Sequence, residues 1–208
     1  MLLRCGSDAK FMIKPPPIEW MRWAWPKVAL PEYPRDRRTV AYHEAGHAVL
    51  SHILRLPMTG ARVHDAPPGV TPGGVVDLDL PAIKASAAKT IDTEIPQPLH
   101  ELVAIELATM YVAGVMAELK LHGLEVTGWL GLEDRDFLNA RILLCEAFGI
   151  DLALYYCQCL ASAVLAEHWS WVTAVAGAID VKGSITMDEI ARLQPGFRET
   201  TSLESVAV

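Results

Sequence analysis

The stretch Thr39–Leu54 reads TVAYHEAGHAVLSHIL, and the pentapeptide inside it, His43-Glu44-Ala45-Gly46-His47, governs how the rest of the chain is read. Apolar residues at Val40, Ala41, Ala45, Ala48, Val49, Ile53 and Leu54 recur largely at three- and four-residue steps, with no proline and one glycine. That periodicity predicts a helix with one buried stripe. Thr39, following Arg35-Asp36-Arg37-Arg38, is the expected N-cap, without a Glu or Gln to complete a capping box, and Pro57 is expected to stop the helix. Two histidines four apart on a helix project from one face, so both imidazoles can ligate one zinc ion while the adjacent glutamate polarises a water on it. The pentapeptide therefore points to zinc-dependent hydrolysis, with His43 and His47 as ligands and Glu44 as general base. Gly46 costs about 1 kcal/mol against alanine inside a helix, which predicts that another backbone segment approaches closely there.

A catalytic zinc site needs a third protein ligand and an open fourth position. The longer pattern H-E-x-x-H-x-x-G-x-x-H is not met, because Leu50 and Ile53 stand where its glycine and third histidine belong. His52 is one residue out of place and points away from the ligand face, so it reads as a surface or supporting histidine. The remaining candidates are carboxylates: Glu118 in the apolar helical stretch Ile105–Leu121, and Glu133, Asp134 and Asp136 after the segment Gly123–Gly131.

Taken together, these strings resemble the peptidase domain of FtsH-type ATP-dependent zinc metalloproteases. The stretch T-V-A-Y-H-E-A-G-H-A-V is similar to that family's zinc helix. Val63–Leu80 resembles its hairpin-like strand pair, Gly114–Leu119 its G-x-x-A-E-x helix, Asp136–Ala140 its D-L-x-x-A helix start, and His168–Leu193 its closing two helices. The similarity spans roughly residues 38 to 195, and it departs from the family at Arg141, where a threonine is usual, and in the Trp- and Leu-bearing segment before Asp136. The resemblance implies a mainly α (α+β), helical zincin-like metallopeptidase domain with a small β-sheet or hairpin. It implies zinc (Zn2+) held by His43, His47 and Asp136, with Glu44 as the base, and Glu118 as the alternative ligand. The implied activity is that of a zinc metalloendopeptidase acting on peptides or unfolded proteins, with the segment Gly74–Leu80 as the sheet edge along which substrate would lie. A catalytically weak or inactive module that binds peptides or protein partners is the alternative.

The expected organisation is a Pro/Trp-rich arm over residues 1–37, carrying Trp20, Trp23 and Trp25, then the peptidase-like domain over 38–195, then a polar tail over 196–208. Helices are expected at 37–54, 97–122, 134–147, 150–166, 168–181 and 187–193, with strands confined to 61–80. No G-x-x-x-x-G-K-[ST] loop occurs, so the reading is a peptidase domain without its motor, standing alone or served by a separate ATPase partner. No apolar run is read as a membrane span and no secretory signal is read at the start, which makes the cytoplasm the expected location. A net charge of -7 with no basic stripe opposes nucleic-acid binding, and Arg35–Arg38 reads as a solvated approach to the helix. With 51% hydrophobic residues and a mean hydropathy of +0.23, the apolar surplus suits either a large helical core or a homo-oligomer interface. Cys157 and Cys159 lie about 200° apart on a helix, a poor geometry for sharing one metal.

Overall fold

Asp36, rather than Thr39, caps the first long helix: its carboxylate accepts the Thr39 amide at 2.8 Å, and helix α1 runs Arg37–Ile53. This is seen in a computed structural model of the chain that describes residues 27–28, 32–67, 70–79, 81–83, 101–125, 129–130, 134–148 and 153–197. Aspartate outcompetes threonine here because its acceptor reaches the third helical amide from the residue just outside the helix. α1 ends before Pro57, as expected, with Leu54 at its C-cap and Arg55 in the left-handed region at φ 57°.

The other elements follow in order. Strand β1 (Lys27–Val28) precedes α1; β2 (Met58–His64) and β3 (Gly73–Leu78) follow it; then come α2 (Glu101–Leu121), β4 (Trp129–Leu130), α3 (Arg135–Phe148), α4 (Ala153–Glu167), α5 (Trp169–Lys182), β5 (Ser184–Thr186) and α6 (Met187–Arg192). The fold is mainly helical, of the α+β kind, with one small antiparallel sheet in the order β3-β2-β5. The strands expected within 61–80 form its hairpin, but strands are not confined there. β5 adds to β2 through Gly60–Arg62, and β1 pairs in parallel with β4. A three-residue strand such as Ser-Ile-Thr is too short to carry a period-two signal, so only its pairing partner reveals it. Of the Trp-rich arm at 1–37, only 27–28 and 32–37 lie among the described residues; of the tail at 196–208, only 196–197 do.

Every residue of α1 from Thr39 to Ser51 is buried, so the helix has no solvent face where the sequence suggested a single stripe. α2, α5 and the sheet enclose it. The close backbone approach expected at Gly46 is real: a Cβ there would lie 2.7 Å from the Ala113 carbonyl oxygen and 2.8 Å from the Ala117 methyl. α2 itself is 21 residues long and apolar enough to cross a bilayer, a property missed in the sequence reading, yet 72% of its apolar window is buried within the protein. It is the central core helix, packed against α1, α3 and α4. Its apolarity has the physical meaning of burial on all sides.

The far end of the core is closed by Trp171, which is fully buried and donates its indole N–H to the Ile190 carbonyl at 2.8 Å, pinning α6 to α5. α6 is anchored at its start by a capping box between Thr186 and Glu189. Trp171→Ala is expected to cost about 3–5 kcal/mol, read as a lower urea midpoint of unfolding. A loss under about 1 kcal/mol would mean that the cavity collapses and that this closure is unimportant.

Candidate metal centre

The buried side chains of α1 include a polar row: Thr39, His43, Glu44, His47 and Ser51. Four of these recur every fourth residue and therefore share one side of the helix. Such a row ordinarily faces water, but here α2 crosses it, and Met110, Gly114 and Glu118 meet the two histidines.

The tautomers follow from these contacts. His43 Nδ1 lies 2.7 Å from Glu118 Oε1, and His47 Nδ1 lies 2.7 Å from the Met110 carbonyl oxygen. Both partners are acceptors, so Nδ1–H donates in each ring and Nε2 is the nitrogen turned toward the convergence point, where a metal ion would take the place of a proton. The two Nε2 atoms converge at 2.9 Å, and Asp136 Oδ2 closes the group at 3.0 Å from His43 Nε2 and 3.4 Å from His47 Nε2. A tetrahedral site with bonds of about 2.0–2.1 Å separates its ligand atoms by about 3.3 Å. His43, His47 and Asp136 thus form a group that could hold a metal ion, with their ligand atoms all within 4.8 Å of one another.

Asp136 reaches the histidines because α3 docks through Phe137, Ala140 and Leu144, all fully buried and spaced three and four apart. Burying Phe137 turns the preceding side chain toward α1. Asp134 is occupied elsewhere, its carboxylate accepting the Phe137 amide at 2.8 Å at the start of α3. Glu118 sits on the Nδ1 side of His43, away from the converging Nε2 atoms, and so supports His43 instead of joining the converging group. Glu133 lies outside the described residues. His52 lies outside the group, as expected, but it is half-buried and packs edge-on against Trp171 with ring centroids 5.1 Å apart, so it is neither a surface histidine nor a support of the group.

Electrostatics favour a cation at the convergence point. Burial lowers the proton affinity of His43, but hydrogen bonding to Asp136 and Glu118 outweighs it, and its pKa is pushed up to about 10. For Asp136, burial raises the pKa while the two imidazoles lower it further, leaving it well below the usual carboxylate range. The charges that bind a proton so firmly would equally favour a divalent ion. Glu44, 4% exposed, has its carboxyl raised by burial, with the nearby histidines opposing. A raised carboxyl holds a proton more readily than an exposed one.

Glu44 faces the sheet. A Cβ on Gly74 would stand 2.5 Å from Glu44 Cγ and Oε1, so only glycine lets β3 pass this close to the carboxylate. A cleft of about 510 Å³ opens there, lined by His43, Glu44, His47, Asp136, Tyr111 and the β3 segment. A second cavity, about 540 Å³, is lined by Met116, Leu119, Tyr155 and Leu165 among others; it has no histidine and a single carboxylate, so it offers no comparable ligand set.

Three contributors were not legible as functional residues. Gly114 was noted only as part of a motif, whereas a Cβ on it would lie 2.5 Å from Nε2 of both His43 and His47. Tyr33 carried no signal. Arg35, expected as part of a solvated approach, instead forms an ion pair with the buried Glu118 at 3.0 Å, and Arg37 pairs with Asp65 and with Asp180. Neither any protein-family model nor any curated protein matches the sequence of this chain.

Proposed function

We propose that the chain is a zinc-dependent metalloendopeptidase of the kind found in the peptidase domain of FtsH-type proteases. The observation that carries this reading is the convergence of His43 Nε2, His47 Nε2 and Asp136 Oδ2 beside Glu44 in one open cleft. Two imidazoles and a carboxylate suit zinc, and three protein ligands leave the fourth position that a hydrolytic site requires. When bound, zinc supplies Lewis acidity, lowering the pKa of water at that position to about 7 and polarising a carbonyl oxygen.

The chain's own residues account for the remaining steps. Glu118 and the Met110 carbonyl hold the two imidazoles with Nε2 toward the cleft. Glu44 takes the proton from the attacking water; as the scissile C–N bond breaks, it delivers that proton to the leaving amine. β3 is the outer strand of the sheet order β3-β2-β5 and runs past Glu44 at Gly74. An extended peptide could add to that edge through backbone hydrogen bonds, bringing a carbonyl beside the carboxylate. Recognition by backbone favours unfolded substrates with weak sequence preference.

Purified protein is expected to contain about one equivalent of zinc per chain and to hydrolyse casein. Chelation should abolish the hydrolysis, and added zinc should restore it. Protein that takes up no metal even after zinc addition would overturn the reading. Stoichiometric zinc without any hydrolysis would instead favour a peptide-binding module that uses the same cleft.

A further inference from the structure

The two oxygens of Glu118 are held from several directions, and most of the holding comes from outside the metal-binding helix. Oε1 accepts from His43 Nδ1 at 2.7 Å and from Arg35 Nε at 3.1 Å, with Arg35 Nη2 in ion-pair contact at 3.0 Å; Oε2 accepts the Tyr33 hydroxyl at 2.5 Å. The Glu118 side chain is 2% exposed, so water is a poor substitute for these donors. Tyr33 is fixed in turn, its ring stacked on His122 with centroids 4.8 Å apart, while His122 Nε2 lies 3.1 Å from Thr39 Oγ1.

We infer that Tyr33 and Arg35 are positioning residues of the metal centre, acting through Glu118 to fix the ring orientation and tautomer of His43. This rests on the metal reading and extends it to the segment preceding α1. The reasoning is geometric. A carboxylate bonded only to His43 could rotate about its terminal torsion and carry the imidazole with it. Donors on both oxygens remove that freedom, so Nε2 stays aimed at His47 and Asp136. Partners that orient a metal-bound histidine commonly alter metal affinity by about 10–100-fold when removed.

Tyr33→Phe deletes one hydroxyl while retaining the ring that stacks on His122. It is expected to weaken zinc binding about 10-fold, measured by competition with a chelating dye, and to change the visible absorption of the cobalt-substituted protein. Glu118→Gln should weaken binding more. Tyr33→Phe added to Glu118→Gln should then have little further effect, because the hydroxyl acts through the carboxylate. Circular dichroism and thermal melting monitor folding, and a purely structural Tyr33 would lower the melting temperature without moving the cobalt spectrum. Wild-type zinc affinity and an unchanged cobalt spectrum in Tyr33→Phe and Arg35→Gln would overturn this inference alone. Failure of the wild-type protein to bind metal would overturn the metal reading and this one with it.

Discussion

Glu44→Gln is expected to leave the protein folded and loaded with zinc while reducing casein hydrolysis by at least about 10²–10⁴-fold. The substitution is nearly isosteric, and Glu44 points toward Gly74 at the sheet edge, outside the ligand group His43, His47 and Asp136. Its carboxyl is buried and raised by desolvation, so a neutral amide fits the same space without the cost of burying a charge. Thermal stability should therefore be unchanged or slightly higher. Activity should fall because an amide cannot accept the proton of the attacking water. Metal analysis of the variant beside its hydrolysis rate provides the check. Near-wild-type turnover would remove Glu44 from the mechanism, and loss of zinc would mean that the residue supports the metal site itself.

The second large effect is expected at a residue with no side chain. Gly114→Ala would put a methyl carbon 2.5 Å from Nε2 of both His43 and His47, the two atoms that must remain free to bind an ion. The helices have little room to separate, since α1 and α2 are also in close contact where Gly46 faces Ala113 and Ala117. Zinc affinity should fall by at least about 100-fold, the upper end of what disturbing a ligand's support produces, and the melting temperature should drop. Gly177→Ala supplies the contrast. It is an exposed glycine within α5 where an added methyl meets nothing within 4 Å, so alanine should stabilise the helix by about 0.5–1 kcal/mol. Zinc retention by Gly114→Ala, measured by equilibrium dialysis, would show that α2 can move away and that the centre tolerates a wider spacing.

Glu44 and Gly114 illustrate how unevenly the site was legible. The placement of Glu44 was readable because it is local: it is adjacent to His43, and the pair four apart on one helix needs no tertiary information. Gly46 was readable as a close approach, since a glycine inside a strong helix needs a reason. Gly114 and Gly74 lie in segments where a glycine has many explanations, and only the facing side chains identify one. The N-cap was misread at Thr39 because several residues before α1 can cap a helix, and the choice depends on how the chain enters it. The absence of a solvent face on α1 was also hidden, because Thr39, His43, His47 and Ser51 form a polar row that would ordinarily mark exposure. Arg35 was likewise hidden, since its partner Glu118 lies 83 residues further along the chain.

What the sequence determined by itself was the content of single elements: a helix over 37–54, strands in the segment 61–80, a predominantly helical remainder, and two imidazoles with a glutamate on one helical turn. These are set by periodicity and spacing over a few residues, whereas the pairing of the strands as a hairpin was expected only from resemblance. Among the carboxylates, Asp136 was favoured only by resemblance. Its arrival beside His43, across 93 residues of chain, is decided by the docking of α3 through Phe137, Ala140 and Leu144. The same packing assigns Asp134 to an α-helical amide, while the course of α2 assigns Glu118 to the far nitrogen of His43. Local sequence specifies which groups a helix offers, but the distance between groups on different helices depends on how buried surfaces fit together, and that fit exists only in the folded chain.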